Sequence, residues 1–220
     1  MCRNALILAT LCFCFAGVAS ADSATYMISV NTSSIAGTSG SLDFQFNPGA
    51  MSQAADVQVL SFTSNGSLGG AATTGDASGT LPGTVSFDNG TAFNDYFTGF
   101  TYGATLTFDV SLFGPALTSP DGTSSSGSSF AFSMFSDAAG TMPTLTSDTT
   151  DGFAMTIDVN LDGTTTLKNF STETSAGPLM ITTPEPGTLL LMAAGLAGIV
   201  TLRFRVRRTA IYAASSADET

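Results

Sequence analysis

Three oxygen-bearing side chains at alternate positions have the spacing of a calcium loop. Asp158, Asn160 and Asp162 precede Gly163, which matches the first half of such a loop, D-x-[DN]-x-[DN]-G. Calcium prefers carboxylate and amide oxygens, and the glycine permits the sharp turn that the loop needs. The twelfth position is Asn169, where a calcium loop has a bidentate glutamate. The pattern therefore makes calcium a weak candidate ligand at the three residues.

The same residues also fit a β-hairpin that needs no metal. Val159 and Leu161 continue an apolar face that begins at Met155, and Asp162-Gly163 is a common hairpin turn. The sequence favours the hairpin and keeps the calcium loop as the alternative, because a chain with many carboxylates and few cations favours divalent metals. We therefore expect no resident cofactor, with calcium as the alternative.

A second candidate is a group of aromatic and acidic or amide side chains that could bind sugars. A sugar site combines an aromatic plane with Asn or Asp groups that form hydrogen bonds. Aromatic residues are far more often packed in a core, so the sequence favours packing over a sugar platform. The members of this aromatic group are Phe93, Asn94, Asp95, Tyr96, Phe97, Phe100 and Tyr102.

Catalysis by histidine or cysteine is excluded for the body of the chain, which is the segment between Asp22 and Thr183. The sequence has no His, and its three cysteines are Cys2, Cys12 and Cys14. A Ser-His-Asp triad, a Cys-His dyad and a typical zinc site are therefore absent after residue 21. Paired carboxylates could hydrolyse glycosides, but most aspartates stand in turn sequences and no tuned acid–base pair is visible. We expect a protein that is not an enzyme.

The charge of the body excludes another class of partner. Between Asp22 and Thr183 there are 14 acidic residues and one basic residue, Lys168, which gives a net charge of −13. Such a surface repels phosphate backbones, so we expect no nucleic-acid partner.

The first 21 residues have the layout of a secretory signal peptide. Arg3 precedes an apolar stretch over residues 5–18, and the small residues Ala19 and Ala21 suit cleavage before Asp22. All three cysteines leave with this segment. We therefore expect an exported body that contains no disulfide bond.

The C-terminal part combines a rigid break, a short apolar helix and a basic cluster. Pro184, Glu185 and Pro186 interrupt regular structure, and the 16 residues from Gly187 to Leu202 carry no charge. They span about 24 Å as a helix, somewhat less than the hydrocarbon core of a bilayer. Arginines remain on the cytoplasmic side, so the body is predicted to face outward from a transmembrane helix. The arginines are Arg203, Arg205, Arg207 and Arg208.

These three parts, in this order, resemble the PEP-CTERM sorting signal, with its motif at Pro184, Glu185 and Pro186. The resemblance implies an exported protein of a Gram-negative bacterium, recognised in the inner membrane by an exosortase and cleaved near the motif. It also implies a destination at the cell surface or in the extracellular matrix, in association with exopolysaccharide or biofilm. Residues 209–220 extend past the arginines, where the family usually ends.

Four strings in the body resemble a subgroup of uncharacterised PEP-CTERM proteins. This resemblance implies a location and no particular chemistry. The strings are residues 42–49, 92–97, 114–117 and 152–154.

Alternation of apolar and polar residues predicts an all-β body. About nine short strands, separated by clusters of Gly, Asn, Asp, Pro and Ser, indicate an antiparallel β-sandwich of jelly-roll type. The clearest alternating rows are residues 26–30, 42–46, 106–112, 130–134 and 155–161, and shorter runs are 57–62, 84–87, 93–100 and 164–170. Residues 68–79 and 119–129 are predicted to be mobile loops, since they are rich in Gly, Ser and Thr.

The sequence therefore divides into five parts, and the leading hypothesis is a non-enzymatic surface or matrix protein. The alternatives are a carbohydrate-binding module that uses calcium and a secreted glycan-active enzyme. The five parts are a signal peptide (1–21), a β-sandwich ectodomain (22–170), a stalk (171–183), a sorting signal with one transmembrane helix (184–208) and a cytoplasmic tail (209–220).

Overall fold

The computed structural model describes residues 23–179 and Gly195, and its regular structure is almost entirely β-strand. Twelve strands form two six-stranded sheets with antiparallel pairing throughout. Sheet A consists of β1 (Ser23–Asn31), β3 (Asp56–Ser64), β5 (Ala77–Gly79), β6 (Val85–Asp88), β8 (Thr105–Phe113) and β12 (Thr174–Pro178). Sheet B consists of β2 (Ser39–Pro48), β4 (Ser67–Thr74), β7 (Asp95–Thr101), β9 (Ser128–Phe135), β10 (Phe153–Val159) and β11 (Thr165–Asn169).

The strand order is that of a jelly roll with added strands. Sheet A has the order β12-β1-β8-β3-β6-β5, and sheet B has the order β11-β10-β9-β2-β7-β4. Pairing of β1 with β8, β2 with β7 and β3 with β6 is what an antiparallel ribbon produces when it winds into two sheets. Strands β9, β10 and β11 extend sheet B beyond β2, and β12 extends sheet A beyond β1. The predicted all-β sandwich is confirmed.

A cluster of phenylalanines joins the two sheets. Phe44 of β2 and Phe132 of β9 come from sheet B, and Phe108 of β8 comes from sheet A. Their ring centroids are 4.9 to 5.2 Å apart, and all three side chains are at most 1% exposed. Ring pairs at this spacing stabilise a core beyond the area that they bury. The alternation read from the sequence thus places the apolar face of each strand between the sheets.

Helical structure in residues 23–179 is confined to short turns. A 3-10 turn covers Ser33–Ile35 and a single α-helical turn, α1, covers Pro115–Thr118. Within residues 23–179 no helix has both the length and the apolar character that crossing a bilayer requires. The predicted signal peptide (1–21), sorting signal (184–208, apart from Gly195) and tail (209–220) lie outside the described residues.

The structure corrects the number and the limits of the strands. The described region has twelve strands where the sequence predicts about nine. Strands β4 and β5 occupy most of residues 68–79, which were predicted to be a loop. Strand β12 lies within the predicted stalk and pairs with β1, so the sandwich continues to Pro178 and does not end at residue 170. These strands consist mainly of Gly, Ala, Ser and Thr, which carry no apolar alternation.

Candidate functional site

The residues of the calcium-loop pattern form the end of the β10–β11 hairpin. The backbone N–H of Asn160 donates to the carbonyl of Thr164 at 2.8 Å, and the N–H of Gly163 donates to the carbonyl of Asn160 at 3.1 Å. Gly163 has a φ of +82°, a left-handed conformation that glycine adopts without steric cost. The hairpin that the sequence favours is therefore present.

Both carboxylates of this hairpin already have protein partners. Asp158 accepts hydrogen bonds from Ser129 Oγ and Lys168 Nζ, each at 2.7 Å. Asp162 Oδ1 accepts from the backbone N–H and the hydroxyl of Thr164, at 3.0 and 2.6 Å. These bonds to Thr164 lower the pKa of Asp162. The charges that calcium would need are engaged in separate local contacts.

The third candidate ligand uses its nitrogen rather than its oxygen. Asn160 Nδ2 donates to the hydroxyls of Thr164 and Thr166, each at 2.9 Å. Among residues 23–179, no group of three or more His, Cys, Asp and Glu side chains is arranged to hold a metal ion. Calcium at Asp158, Asn160 and Asp162 stays a prediction without support from the side-chain contacts.

Much of the aromatic group belongs to the core. Tyr96, Phe100 and Tyr102 are at most 3% exposed. Tyr102 Oη lies 2.9 Å from the carbonyl oxygen of Ser41 and 3.0 Å from that of Phe135, and burial raises the pKa of this phenol. The packing interpretation is confirmed for these three rings.

The remaining members of the aromatic group have different environments. Asn94 is fully buried and donates from Nδ2 to the carbonyls of Phe46 and Thr91, at 2.9 and 3.0 Å. Phe97 is half-buried, and Phe93 is 49% exposed. An extended platform of several exposed rings is therefore absent from this group.

The structure brings together two aspartates that the sequence does not pair. Asp43 lies on β2 and Asp95 begins β7, and Gln45 stands directly opposite Asp95 in the antiparallel register. Since Phe44 and Phe46 face the core, Asp43 and Gln45 face the other side of sheet B. The two aspartates are diagonal neighbours on that outer face, a separation that side chains can bridge. Asp43 is 8% exposed.

Each carboxyl group of this pair has a buried oxygen that finds no donor when both groups are ionised. The two atoms are Oδ1 of Asp43 and Oδ1 of Asp95, whereas Oδ2 of Asp43 accepts from Gln45 Nε2 at 2.6 Å. A proton shared by the two groups satisfies both atoms, since a protonated carboxyl donates to an ionised one. Burial raises the pKa of Asp43 to about 8, and the hydrogen bond and charge of Asp95 reinforce this rise. At neutral pH the carboxyl pair therefore holds a proton.

The amide side chains of Asn47 and Gln45 form consecutive hydrogen bonds that orient the Gln45 amide towards this carboxyl pair. Asn47 Oδ1 accepts from the backbone N–H of Asn94 at 2.7 Å, and Asn47 Nδ2 donates to Gln45 Oε1 at 3.0 Å. Gln45 Nε2 is thereby directed at Asp43. The alternation in the sequence predicts that the polar side chains of β2 face away from the core. Their contact with Asp95 depends on which strand lies beside β2, and the sequence does not predict that.

Other aspartates have the turn role that the sequence predicts. Asp121 accepts from the backbone N–H groups of Thr123 and Ser124, and Asp148 accepts from those of Thr150 and Asp151. These hydrogen bonds lower the pKa of both carboxyls. Such groups stabilise loops and are not tuned for proton transfer at neutral pH.

An open groove of about 460 Å³ lies where the loop before β10 meets the connection from β11 to β12. Its polar groups are largely engaged with the protein itself. Ser147 Oγ donates to the carbonyl of Phe170 at 2.7 Å, and Glu173 Oε2 accepts from Asn31 Nδ2 at 2.9 Å. The groove has room for a ligand, but few of its polar groups are free to form hydrogen bonds with one.

The fold and the C-terminal sequence together define an exported β-sandwich domain followed by a sorting signal. Residues 182–208 match the family model of the PEP-CTERM protein-sorting motif, which confirms the resemblance seen in the sequence. The chain carries the PEP-CTERM sorting motif, which implies export, transit through the membrane and processing by an exosortase. No curated protein and no solved structure matches the chain. The resemblance of the body to a subgroup of PEP-CTERM proteins stays a prediction.

Proposed function

We propose that the chain is a non-enzymatic surface or matrix protein whose β-sandwich is released from the membrane by exosortase. The proposal rests on one observation: along the chain, the last strand ends before the sorting motif begins. Strand β12 ends at Pro178, and the matched motif begins at residue 182. Cleavage near Pro184 therefore leaves all twelve strands in the released body.

Two features of the described domain support a role without catalysis. It contains no His or Cys, which removes the commonest bases and nucleophiles. Its carboxyl with a pKa near neutrality, Asp43, is 8% exposed and therefore nearly inaccessible to a substrate. General acid–base chemistry requires the group to come within hydrogen-bond distance of the reacting atom.

Binding to the extracellular polysaccharide is the second candidate function. On the outer face of sheet B, Phe97 lies beside Asp43 in the strand register, and Gln45 and Asn47 continue the same polar row. Phe97, Gln45 and Asn47 are half-buried, so this face combines a ring with amide groups. Binding of the full chain to a glycan array, with and without EDTA, tests this candidate. Absence of binding in both conditions would rule it out.

Mass spectrometry of the mature C-terminus tests the main proposal. In the native host we expect a C-terminus near Pro184, and in a strain without exosortase we expect chains that keep residues 187–208 and stay in the membrane fraction. Glu185→Gln should reduce processing, because the substitution removes the charge of the motif. Glu173→Gln is the matched control, since Glu173 precedes β12 and should leave processing unchanged. A mature chain that keeps its motif in cells with active exosortase would contradict the proposal.

A further inference from the structure

An apolar cleft opens between the two sheets at one side of the sandwich. It has a volume of about 300 Å³ and lies between the end of β3, the start of β4 and the connection from β5 to β6. Its apolar lining consists of Phe62, Leu68, Pro82 and Phe100. Phe62 and Phe100 pack edge to face with ring centroids 6.3 Å apart, and each is at most 5% exposed. The two rings are therefore held by the core, and the cleft is preformed.

Strand edges without a partner flank this cleft. The ladder between β3 and β6 covers only Asp56–Val59, so residues 60–64 of β3 are paired on the β8 side alone. Among the described strands, β4 pairs with β7 alone. An unpaired edge offers N–H and C=O groups to an added strand, and natural proteins often protect such edges with charges or prolines. Residues 57–75, which include both edges, contain neither a charged residue nor a proline.

We propose that the cleft binds residues 179–183 of a second copy of this chain, as a β-strand added to residues 60–64 of β3. The inference rests on the proposed function, because processing near Pro184 leaves this segment at the C-terminus of the released body. The 179–183 segment reads Leu-Met-Ile-Thr-Thr and carries no charge. Added strands bind through main-chain hydrogen bonds and through side chains that enter pockets at alternate positions. Leu179 and Ile181 lie on one face of such a strand and enter the cleft.

The distribution of charge favours contact at this place. Two bodies that each carry a net charge of −13 repel one another over most of their surfaces. The segments that form the cleft are the exception, since residues 57–75, 77–87 and 96–108 contain no charged residue. Residues 174–183 are likewise uncharged. Contact between the 179–183 segment and the cleft therefore avoids the like-charge repulsion that opposes other contacts between copies.

The distance to the cleft requires that a second copy supplies the strand. Leu179 donates its N–H to the carbonyl of Thr25 at 2.8 Å, and β12 lies three strand spacings from β3, about 14 Å across sheet A. Along the strands, Thr25 is level with Gln58, and Phe62 lies about 13 Å further on. The two offsets combine to about 20 Å, whereas the four residues from Leu179 to Thr183 span at most about 14 Å.

The two surfaces of this contact are different, so the copies associate head to tail. Such contacts produce open filaments unless the rotation between copies closes a ring. Processing by exosortase frees the 179–183 segment and thereby permits assembly away from the membrane. The released bodies then form extended chains without a further protein.

Fluorescence anisotropy of a labelled peptide of residues 178–184, titrated with the full-length chain purified in detergent, tests the inference. We expect saturable binding, weakened about tenfold or more when the peptide carries Ile181→Asp, because the cleft offers no partner for a charge. In the chain, Leu68→Asp should weaken binding to a similar extent. Leu161→Asp is the matched control, since Leu161 is 50% exposed in the β10–β11 turn and should leave binding unchanged. The peptide variant keeps the test valid if Leu68→Asp does not fold.

Sedimentation of the processed chain from the native host gives a second readout. We expect species larger than one copy, reduced to single copies by Leu68→Asp and retained by Leu161→Asp. If the host does not process the chain, the proposed function fails while the peptide titration still decides this inference. The inference is overturned if the peptide does not bind, if a scrambled peptide binds equally well, or if Ile181→Asp and Leu68→Asp both bind as tightly as wild type. A processed chain that stays a single copy at concentrations above the Kd of the peptide also overturns it.

Discussion

Replacing Asp43 by asparagine measures how much the buried carboxyl pair governs stability. Asparagine has nearly the same shape, its Oδ1 can accept from Gln45, and its Nδ2 can donate to Asp95. The substitution therefore keeps the hydrogen bonds and removes the titrating proton. Its effect on the free energy of unfolding should depend on pH, and it should be largest where the wild-type pair must lose its proton.

The sign follows from the direction of the pKa change. Burial raises the pKa of Asp43 in the folded chain from 3.8 to about 8, so the folded state binds the proton more tightly than the unfolded state. The stabilising effect of protonation is complete below pH 3.8 and is lost as pH rises to about 8. A slope near 1.4 kcal/mol per pH unit gives a loss of about 4 kcal/mol between pH 5 and pH 8.

Urea unfolding of the full-length chain in EDTA, followed by tyrosine fluorescence at half-unit pH steps, provides the assay. We expect the wild-type free energy of unfolding to fall steadily from pH 5 to pH 8. The Asp43→Asn curve should be nearly flat, equal to wild type near pH 5 and about 4 kcal/mol higher near pH 8.

A matched control is available on the other sheet. Asp109 lies on β8, where its neighbours Phe108 and Val110 face the core and its own side chain faces away from it. Asp109→Asn should retain the wild-type slope. A wild-type curve that is flat between pH 5 and pH 8, or an Asp43→Asn curve as steep as wild type, would refute the assignment of a proton to the carboxyl pair.

Three further substitutions test separate parts of the fold by urea unfolding at pH 6. Phe132→Ala removes a ring that bridges the sheets and should cost about 3–5 kcal/mol, and a loss below 1 kcal/mol would contradict the role of the cluster. Lys168→Ala should change stability by less than about 1 kcal/mol, because its side chain is 55% exposed in the pair with Asp158. Asp88→Asn should stabilise by about 0.2–1 kcal/mol, since Asp88 stands opposite Asp56 and like charges repel across strands; destabilisation would contradict this.

The strands that the sequence predicts are those with bulky apolar residues on one face. In β2, β8 and β10, the alternation of apolar and polar residues with a period of two is sufficient to predict the strand, because one face of each strand is buried. Strands β4 and β12 carry small residues and become strands through pairing with β7 and β1. That pairing depends on the tertiary arrangement, so the local sequence of β4 or β12 does not predict it.

The carboxyl pair illustrates the same limit for the candidate site. The sequence places Asp43 on the polar face of a strand, which predicts a solvated side chain. Its burial and its contact with Asp95 arise because β2 lies between β7 and β9 in sheet B. Strand order is a property of the whole fold, so the spacing of the two residues in the chain does not reveal the pair.

At the calcium-loop pattern the local sequence suggests a metal site that the side-chain contacts in the structure do not support. The spacing of Asp158, Asn160 and Asp162 is compatible with a metal loop, although the sequence around it favours a hairpin. What distinguishes them is the threonines of the following turn and strand, Thr164 and Thr166, whose hydroxyls and backbone engage the turn side chains. A motif of alternate oxygens is therefore weak evidence when hydroxyl residues follow it.

The position of β1 in sheet A has a consequence for the order of events during export. Strand β1 precedes the other described strands along the chain, yet its two neighbours are β8 and β12. The chain must therefore expose residues 23–31 without partners until residues 105–113, and finally residues 174–178, have crossed. Pairings between such distant segments form slowly. Completion of the sandwich thus waits for nearly the whole body to arrive, and an unpaired β1 is open to wrong partners in the meantime.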